Sequence, residues 1–295
     1  MLTRPRRSVL YMPASNQRAM EKAKSLPADA LILDLEDAVA PDAKANARNA
    51  LVAMLSAGGY GAREVIVRIN GLDTSWGIDD LDAVAKTNPS AILFPKVSTT
   101  AEVARASEHL DKRDPEHKLA LWLMIETPLA ILNIREIAAS SKGVGARLNT
   151  LVMGTNDLAK ELRVPLKAGR RGLRPSLAQC VLAARAYGLT ILDGVFNRIQ
   201  DSEGFAEQCE EAVELGFDGK TLVHPSQIET CNRIFAPDAE DVAWARKVIA
   251  AFDSSDSASK GAIQLEGRMV ERLHAEEAKR LVAVADAIAE AEAAR

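Results

Sequence analysis

The sequence predicts an α/β protein, a (β/α)8 TIM barrel with a C-terminal helical extension acting as a lid. Eight short apolar runs recur along the chain, and a polar loop and a helix-like segment follow each of them. This alternation is typical of a parallel sheet, and eight units within roughly 225 residues favour a closed barrel over an open sheet. The predicted strands span residues 8–12, 30–35, 64–69, 91–95, 119–125, 150–154, 189–192 and 219–223.

The loop after the first predicted strand argues against an open dinucleotide-binding fold. Such a fold places a glycine-rich turn directly after its first strand, where the backbone approaches a pyrophosphate. No glycine occurs here between Pro13 and Gln17. The barrel is therefore the better prediction.

Length and composition indicate one main domain with an appendage. The chain has 295 residues, of which 47% are hydrophobic and 26% charged, enough to bury a large core. We expect the barrel to occupy residues 1–252. A polar, serine-rich stretch at residues 253–262 is predicted to be a flexible linker, and residues 263–295 a C-terminal lid segment and helix. This lid would cover the chain's own active site or that of a neighbouring subunit.

Charge and cysteine content exclude several classes of protein. A net charge of −4 and a pI near 5.7 argue against broad nucleic-acid binding. Three cysteines without CxxC spacing (Cys180, Cys209 and Cys231) indicate neither a zinc site nor a disulfide framework. The sequence shows no signal peptide and no apolar span of about 20 residues, so we expect a cytoplasmic protein that does not contact membranes.

Two carboxylates are predicted at the ends of neighbouring strands. Glu126 ends one apolar run, and Thr127 and Pro128 suit the N-cap and first position of a following helix. Asp157 follows the next run after a glycine turn. Reactive groups gather at the C-terminal ends of barrel strands, and two carboxylates suit Mg²⁺ or Mn²⁺, with water and substrate oxygens as further ligands. In the alternative, Glu126 pairs with an arginine and Asp157 caps a helix that starts at Leu158.

Three acids and one arginine lie at the ends of the second and third predicted strands. Asp34, Glu36 and Asp37 lie within four residues, and crowded carboxylates raise one another's pKa, which can create a general acid or base. Unless the strand has already ended, Asp34 and Glu36 would share one face and Asp37 the other. Arg68 would bind a substrate carboxylate bidentately or would neutralise Glu36. Both interpretations remain open.

Seven short motifs at the strand ends match one known family in the same order. They lie at residues 7–13, 33–39, 67–70, 125–127, 154–158, 192–196, and 216–220 with 224–228. Together they resemble the citrate lyase beta-subunit-like family of acyl-CoA lyases, within the class II aldolase/citrate lyase superfamily. The resemblance extends from about residue 7 to the C-terminal helix.

The resemblance implies a function and part of a site. Members of this family are Mg²⁺-dependent barrels, usually trimeric or hexameric, that cleave a citryl-, citramalyl- or malyl-CoA type thioester to acetyl-CoA and a 2-keto acid. By resemblance, the metal ligands are Glu126 and Asp157, and the arginine for the substrate carboxylate is Arg68. Basic residues of the first βα unit meet the CoA phosphates in this family, here Arg18, Lys22 or Lys24.

The chain departs from the family pattern in its C-terminal segment. Relatives use an aspartate there, often lent by the neighbouring subunit, to handle the proton of the enolate. Glu271 stands at that position, and its extra methylene moves the carboxyl by about 1 Å, a misplacement that can cost about a hundredfold in rate. A second departure lies between Ala14 and Gln17, where relatives often show Pro-Gly followed by Asn and Pro.

Three functions therefore stay open at the level of sequence. The first is a carbon–carbon lyase, and the second is a malyl-CoA-type thioesterase, because the same chelated enolate chemistry is a small change from hydrolysis. The third is a non-catalytic subunit that binds a CoA thioester, which only the change at Glu271 suggests.

Overall fold

Eight parallel strands close into a barrel in the computed structural model, which describes residues 4–166, 169–253 and 261–295. Each strand pairs with the next in sequence, and the last pairs with the first. The predicted barrel is confirmed, and every predicted strand end lies within two residues of the observed one. The strands are β1 (Ser8–Pro13), β2 (Ala30–Asp34), β3 (Glu64–Arg68), β4 (Ala91–Phe94), β5 (Ala120–Ile125), β6 (Leu148–Met153), β7 (Thr190–Asp193) and β8 (Gly219–Leu222).

Helices connect the strands around the outside of the barrel. They are α1 (Gln17–Ala23), α2 (Lys44–Ala57), α3 (Gly77–Val84), α4 (Thr100–Arg113), α5 (Pro128–Leu132), α6 (Ile134–Ala139), α7 (Thr155–Leu162), α8 (Arg174–Tyr187), α9 (Ser202–Leu215) and α10 (Ile228–Ile234). Local sequence explains where α5 begins, because the Thr127 side chain accepts a 3.0 Å hydrogen bond from the Ala130 N–H. Pro128 occupies the first helical position, as predicted.

The barrel interior is packed with side chains. Alternation along the strands sends one set of apolar residues inward, including Val9, Ile32, Ile66, Trp122, Val152 and Leu192, and the other set outward against the helices. At the N-terminal end of the strands, Arg6 donates to Glu64 at 2.7 and 2.8 Å and lies 4.9 Å from the centre of the Trp122 ring. The interior is therefore closed at that end.

The C-terminal part of the chain forms a small module of its own. It contains α11 (Ala239–Asp253), the antiparallel hairpin of β9 (Ala262–Leu265) and β10 (Arg268–Glu271), and α12 (Arg272–Ala293). Its buried residues form a separate apolar cluster: Ala245, Val248, Phe252, Val270, Ala275 and Ala278. Helix α11, which the sequence assigns to the barrel, thus packs against α12. Most of the predicted linker, residues 254–260, lies outside the described residues.

Helix α12 is anchored at the N-terminal face of the barrel. Near its end, Glu292 accepts a 2.9 Å hydrogen bond from Arg7, and Arg295 donates to Asp29 at 2.6 Å. Arg7 and Asp29 directly precede β1 and β2. Glu271 caps the other end of α12, 21 residues and therefore about 31 Å of helix away. Arg280 and Ile288 of α12 line a cavity with Arg6 at this face, and the described residues 261–295 contribute nothing to the two cavities at the C-terminal strand ends. Glu271 therefore does not line its own barrel mouth.

No helix among the described residues is both long enough and apolar enough to cross a membrane.

Candidate active site

A cavity of about 340 Å³ opens at the C-terminal ends of the strands. It brings together four of the predicted site residues, Asp37, Arg68, Glu126 and Asp157. They come from the ends of four different βα units, as expected where parallel strands of a barrel share one face. A second cavity of about 360 Å³ lies beside it, and the predicted acid Glu36 lines that one.

Glu126 is a buried carboxylate with few hydrogen-bond donors around it. Its side chain is 1% exposed, and its Oε1 accepts a 2.8 Å hydrogen bond from the Lys96 N–H. Burial first, then the negative charge of Glu36 and that of Asp157, raise the pKa of Glu126 to about 8, while the Lys96 N–H and Arg68 act in the opposite direction. A cation bound at this carboxylate would stabilise its charged form.

Asp157 reaches the same cavity from the first turn of α7. The helix begins at Thr155, and Gly154 occupies the N-cap position without a side-chain bond. The alternative in which Asp157 caps a helix starting at Leu158 is therefore wrong. Its half-buried carboxylate is left to face the cavity that Glu126 lines.

Glu126 and Asp157 fit a hard divalent cation. No three His, Cys, Asp or Glu side chains are grouped to hold a metal ion by themselves within the described part of the chain. Mg²⁺ commonly binds through one or two carboxylates and completes its octahedron with water and substrate oxygens. The charges of Glu36 and Asp157 around the buried Glu126 are of the kind that a cation offsets.

Arg68 is buried among acids at the edge of the cavity. Its Nε and Nη2 donate to the two carboxylate oxygens of Asp34 at 2.7 and 2.6 Å, and its Nη1 lies 2.9 Å from Glu36 Oε2. The guanidinium lies over the Tyr11 ring, 5.0 Å from its centre. Arg68 therefore does neutralise Glu36, with Asp34 as its main partner. Nη1 also lies 4.0 Å from the Met124 sulfur and 3.6 Å from Asp37, so Arg68 faces the cavity with weaker contacts that a bound carboxylate could replace.

Asp34, the last residue of β2, converges on Arg68 with Glu36 and Asp37 because the strand ends there. The chain turns there, and the backbone N–H groups of Glu36 and Ala38 donate to the Asp34 carboxylate at 2.9 and 3.2 Å. The alternation expected of a continuing strand thus does not apply. Glu36 is buried, and burial raises its pKa, whereas the Asp37 side chain is 57% exposed and lines the cavity.

The basic residues expected to contact CoA lie at different heights on the first βα unit. Arg18 is exposed in the first turn of α1, directly after β1, and Lys22 is exposed in its last turn. Lys24 follows the helix, and its Nζ lies 2.8 Å from Glu21 and 5.5 Å from the centre of the Tyr60 ring. Tyr60 belongs to the loop that precedes β3. The structure thus places Arg18 on the side of the cavity and Lys24 towards the opposite face.

Sequence reasoning missed three residues that shape the site. Tyr11 lines the cavity beneath Arg68, Lys96 bonds both Glu126 and Glu36, and Gly154 lies against the Glu126 side chain. Lys96 and Gly154 lie just after strand ends, which was the one signal available for them, whereas Tyr11 lies within β1 and gave no such signal.

Gly154 leaves the space that Glu126 occupies, and its replacement tests this contact. A Cβ at position 154 would overlap the Oε2 and Cβ of Glu126, so Gly154→Ala is expected to displace the carboxylate and weaken Mg²⁺ binding by about 10- to 100-fold. Isothermal titration of the variant with Mg²⁺ measures the loss. The control is Gly261→Ala, where a Cβ meets nothing within 4 Å. Unchanged Mg²⁺ affinity in Gly154→Ala would contradict the assignment of Glu126 as a ligand.

Comparison with protein families assigns the barrel to a known family. The family described as HpcH/HpaI aldolase/citrate lyase matches residues 7–225, a range that includes all eight strands.

Individual relatives resemble the chain over nearly its whole length. A (3S)-malyl-CoA thioesterase from Cereibacter sphaeroides (strain ATCC 17025 / ATH 2.4.3) is 46% identical over 97% of this chain and 96% of the relative. Citrate lyase subunit beta from Escherichia coli (strain K12) is 33% identical over 91% of this chain and 89% of the relative. Protein CitE from Mycobacterium tuberculosis, solved in complex with magnesium, acetoacetate and coenzyme A, is 30% identical with a TM-score of 0.74, covering 97% of this chain and 100% of that one.

Proposed function

Because the chain belongs to the HpcH/HpaI aldolase/citrate lyase family, we propose that it is a Mg²⁺-dependent enzyme that acts on the CoA thioester of a 3-hydroxy acid of the malyl-, citramalyl- or citryl-CoA type. The observation that carries this proposal is the pairing of Glu126 and Asp157 in one cavity with Arg68. Two carboxylates suit a divalent cation, and a guanidinium beside them suits a carboxylate substrate. Carbon–carbon cleavage to acetyl-CoA and a 2-keto acid is the reaction that this arrangement supports best.

The chain's own residues divide the chemistry of cleavage between them. When bound by Glu126 and Asp157, Mg²⁺ would supply Lewis acidity to the substrate hydroxyl and its adjacent carboxylate. Arg68 would hold that carboxylate, and Asp37, which is open to the cavity, would accept the hydroxyl proton. The carbon–carbon bond then breaks, its electron pair becomes the enolate of acetyl-CoA, and the Glu271 carboxyl of a neighbouring subunit would donate a proton to that carbon. Glu36 would hold Arg68 in place.

Hydrolysis of the same thioester is the second candidate. The thioesterase relative at 46% identity is more similar to this chain than the citrate lyase relative at 33%, which favours this reaction. The metal site and Arg68 would bind the same hydroxy acid portion in either case. The two reactions differ in which bond breaks, because hydrolysis transfers the acyl group to water and releases CoA thiol.

A product assay tests the proposal and separates its two forms. The purified chain is incubated with Mg²⁺ and malyl-, citramalyl- and citryl-CoA, and chromatography resolves acetyl-CoA from free CoA. Acetyl-CoA with an equal amount of 2-keto acid would establish a lyase, and free CoA with the hydroxy acid a thioesterase. Failure to convert any of the three thioesters would contradict the proposed function and would favour a non-catalytic binding subunit.

We further propose that CoA binds across the first βα unit, with Arg18 as its most favourably placed cation. Arg18 is exposed directly after β1, on the face that carries the cavity.

The C-terminal segment is proposed to act as a lid on a neighbouring subunit. In this proposal the chain forms a homo-oligomer, a trimer or hexamer, in which residues 263–295 of one subunit cover the active site of the next. It is supported by the anchoring of α12 at the N-terminal face through Arg7 and Asp29 and by the fact that Glu271 does not line the cavity of its own chain.

Mixed oligomers test whether Glu271 acts in a neighbouring subunit. Glu126→Gln and Glu271→Gln are each expected to be nearly inactive. If Glu271 serves a neighbour, co-expression in equal amounts recovers about one quarter of wild-type activity, because about one site in four combines an intact barrel with an intact lid. The measurement is specific activity of the co-purified oligomer. Recovery at the level of background would show that Glu271 acts within its own chain, and an active Glu271→Gln oligomer would show that Glu271 is not required.

A further inference from the structure

Lys96 has a backbone conformation that lysine rarely adopts. It follows β4 at the C-terminal face, and its φ is 54°, in the left-handed region. A side chain in this region is disfavoured unless the surroundings hold it there. Other residues with positive φ, such as Asn88 and Arg163, stand at the ends of helices. Lys96 instead lies between a strand and the cavity wall, where its backbone N–H donates to Glu126 Oε1 at 2.8 Å.

The Lys96 side chain makes a second connection to the site. Its Nζ donates to Glu36 Oε1 at 2.9 Å, and the other oxygen of Glu36 lies 2.9 Å from Arg68 Nη1. Glu36 is buried, so its carboxylate is held between two cations from different strands. The Lys96 ammonium therefore neutralises part of the negative charge of Glu36, which Arg68 would otherwise have to neutralise alone.

We propose that Lys96 is a positioning residue for both halves of the site, its backbone N–H orienting the metal ligand Glu126 and its ammonium holding Glu36 so that Arg68 remains available to a substrate carboxylate. This inference rests on the proposed function, because it takes Glu126 as the metal ligand and Arg68 as the carboxylate contact. It adds a residue that touches neither the metal nor the substrate.

The two roles of Lys96 depend on different atoms and can be separated. Asparagine tolerates the left-handed region, and Asn88 adopts it in this chain at φ 51°. Lys96→Asn therefore keeps the backbone N–H in place and removes the ammonium. Valine is β-branched and resists positive φ, so Lys96→Val removes the ammonium and also disturbs the N–H that meets Glu126.

Two titrations that do not require turnover test the proposal. Isothermal calorimetry measures the affinity of the full chain for Mg²⁺, and then for pyruvate at saturating Mg²⁺. Lys96→Asn is expected to bind Mg²⁺ within about threefold of wild type and pyruvate about 10- to 100-fold more weakly, the range for a residue that positions ligands. Lys96→Val is expected to lose affinity for both. Lys96→Arg, which keeps the charge, is expected to recover part of the pyruvate affinity.

The matched control is Arg163→Asn. It removes one positive charge at another left-handed position, φ 57°, on the exposed end of α7, and it should change neither affinity. If Lys96→Asn binds pyruvate with wild-type affinity, the proposed role of the ammonium is wrong. If a folded Lys96→Val binds Mg²⁺ with wild-type affinity, the proposed role of the backbone N–H is wrong. A wild-type chain that binds Mg²⁺ and pyruvate but converts no thioester would overturn the proposed function alone.

Discussion

Replacing Glu126 with glutamine is expected to abolish Mg²⁺-dependent turnover while leaving the fold intact. The change removes one of the two carboxylates proposed to bind the cation. Mg²⁺ affinity should therefore fall by more than about 100-fold, because changing a residue that only positions a metal ligand already costs about 10- to 100-fold. Glutamine has nearly the same shape and can still accept from the Lys96 N–H. Mg²⁺ titration and the product assay measure the effect, and thermal unfolding checks the fold.

The matched control is Glu161→Gln, an exposed glutamate on α7, the helix that also carries Asp157. It should bind Mg²⁺ and turn over substrate like wild type. Asp157→Asn should resemble Glu126→Gln in both measurements. A Glu126→Gln variant that keeps its Mg²⁺ affinity would place the metal elsewhere in the chain and remove the main support for the proposed function.

The same residue determines how Mg²⁺ binding depends on pH. Burial and the charge of Glu36 raise the pKa of Glu126 to about 8, so near pH 7 the metal-free carboxyl is mostly protonated and Mg²⁺ must displace its proton. Mg²⁺ affinity is therefore expected to increase with pH up to about 8 and to level off above it. Calorimetry in two buffers of different protonation enthalpy measures the released proton, which should be absent in Glu126→Gln.

The sequence predicts the barrel and the pairing of Glu126 with Asp157 because both depend on local pattern. A buried parallel strand is a run of apolar residues, and its C-terminal end fixes which residues share the active face. Glu126 and Asp157 could therefore be placed in one cavity from spacing alone. Asp37 could not, because its direction depends on the strand ending at Asp34 rather than continuing for two residues.

Other parts of the site depend on contacts that local pattern does not contain. The anchoring of α12 involves Arg7 and Glu292, which are 285 residues apart, so the sequence left open whose active site the C-terminal segment serves. The left-handed conformation of Lys96 has no signature in a lysine followed by valine. The hydrogen bonds of Lys96 to Glu126 and Glu36, which come from other strands, became apparent only in the structure.

Replacing Arg68 with lysine is expected to reduce kcat/KM for the CoA thioester by at least about 100-fold. Lysine keeps the charge but cannot present the planar fork of N–H groups that meets both oxygens of Asp34 and still has donors left for a substrate carboxylate. The control is Arg147→Lys, another largely buried arginine, which pairs with Asp114 at 2.6 Å before β6 at the opposite face. It should lower the melting temperature without changing kcat/KM.

Removing the charge of Arg68 altogether should lower the stability of the protein, because the buried acids around it would lose their counter-charge. Arg68→Met leaves Asp34 and Glu36 buried without their main cation, and breaking a buried pair in this way typically destabilises a protein by about 3–5 kcal/mol. Asp34→Asn in the same chain should recover part of that loss without restoring turnover, because the neutral amide no longer requires a counter-charge while the substrate carboxylate still does. Urea unfolding of the two single variants and the double variant measures this coupling. If the double variant were no more stable than Arg68→Met, the acids would be stabilised by groups other than Arg68.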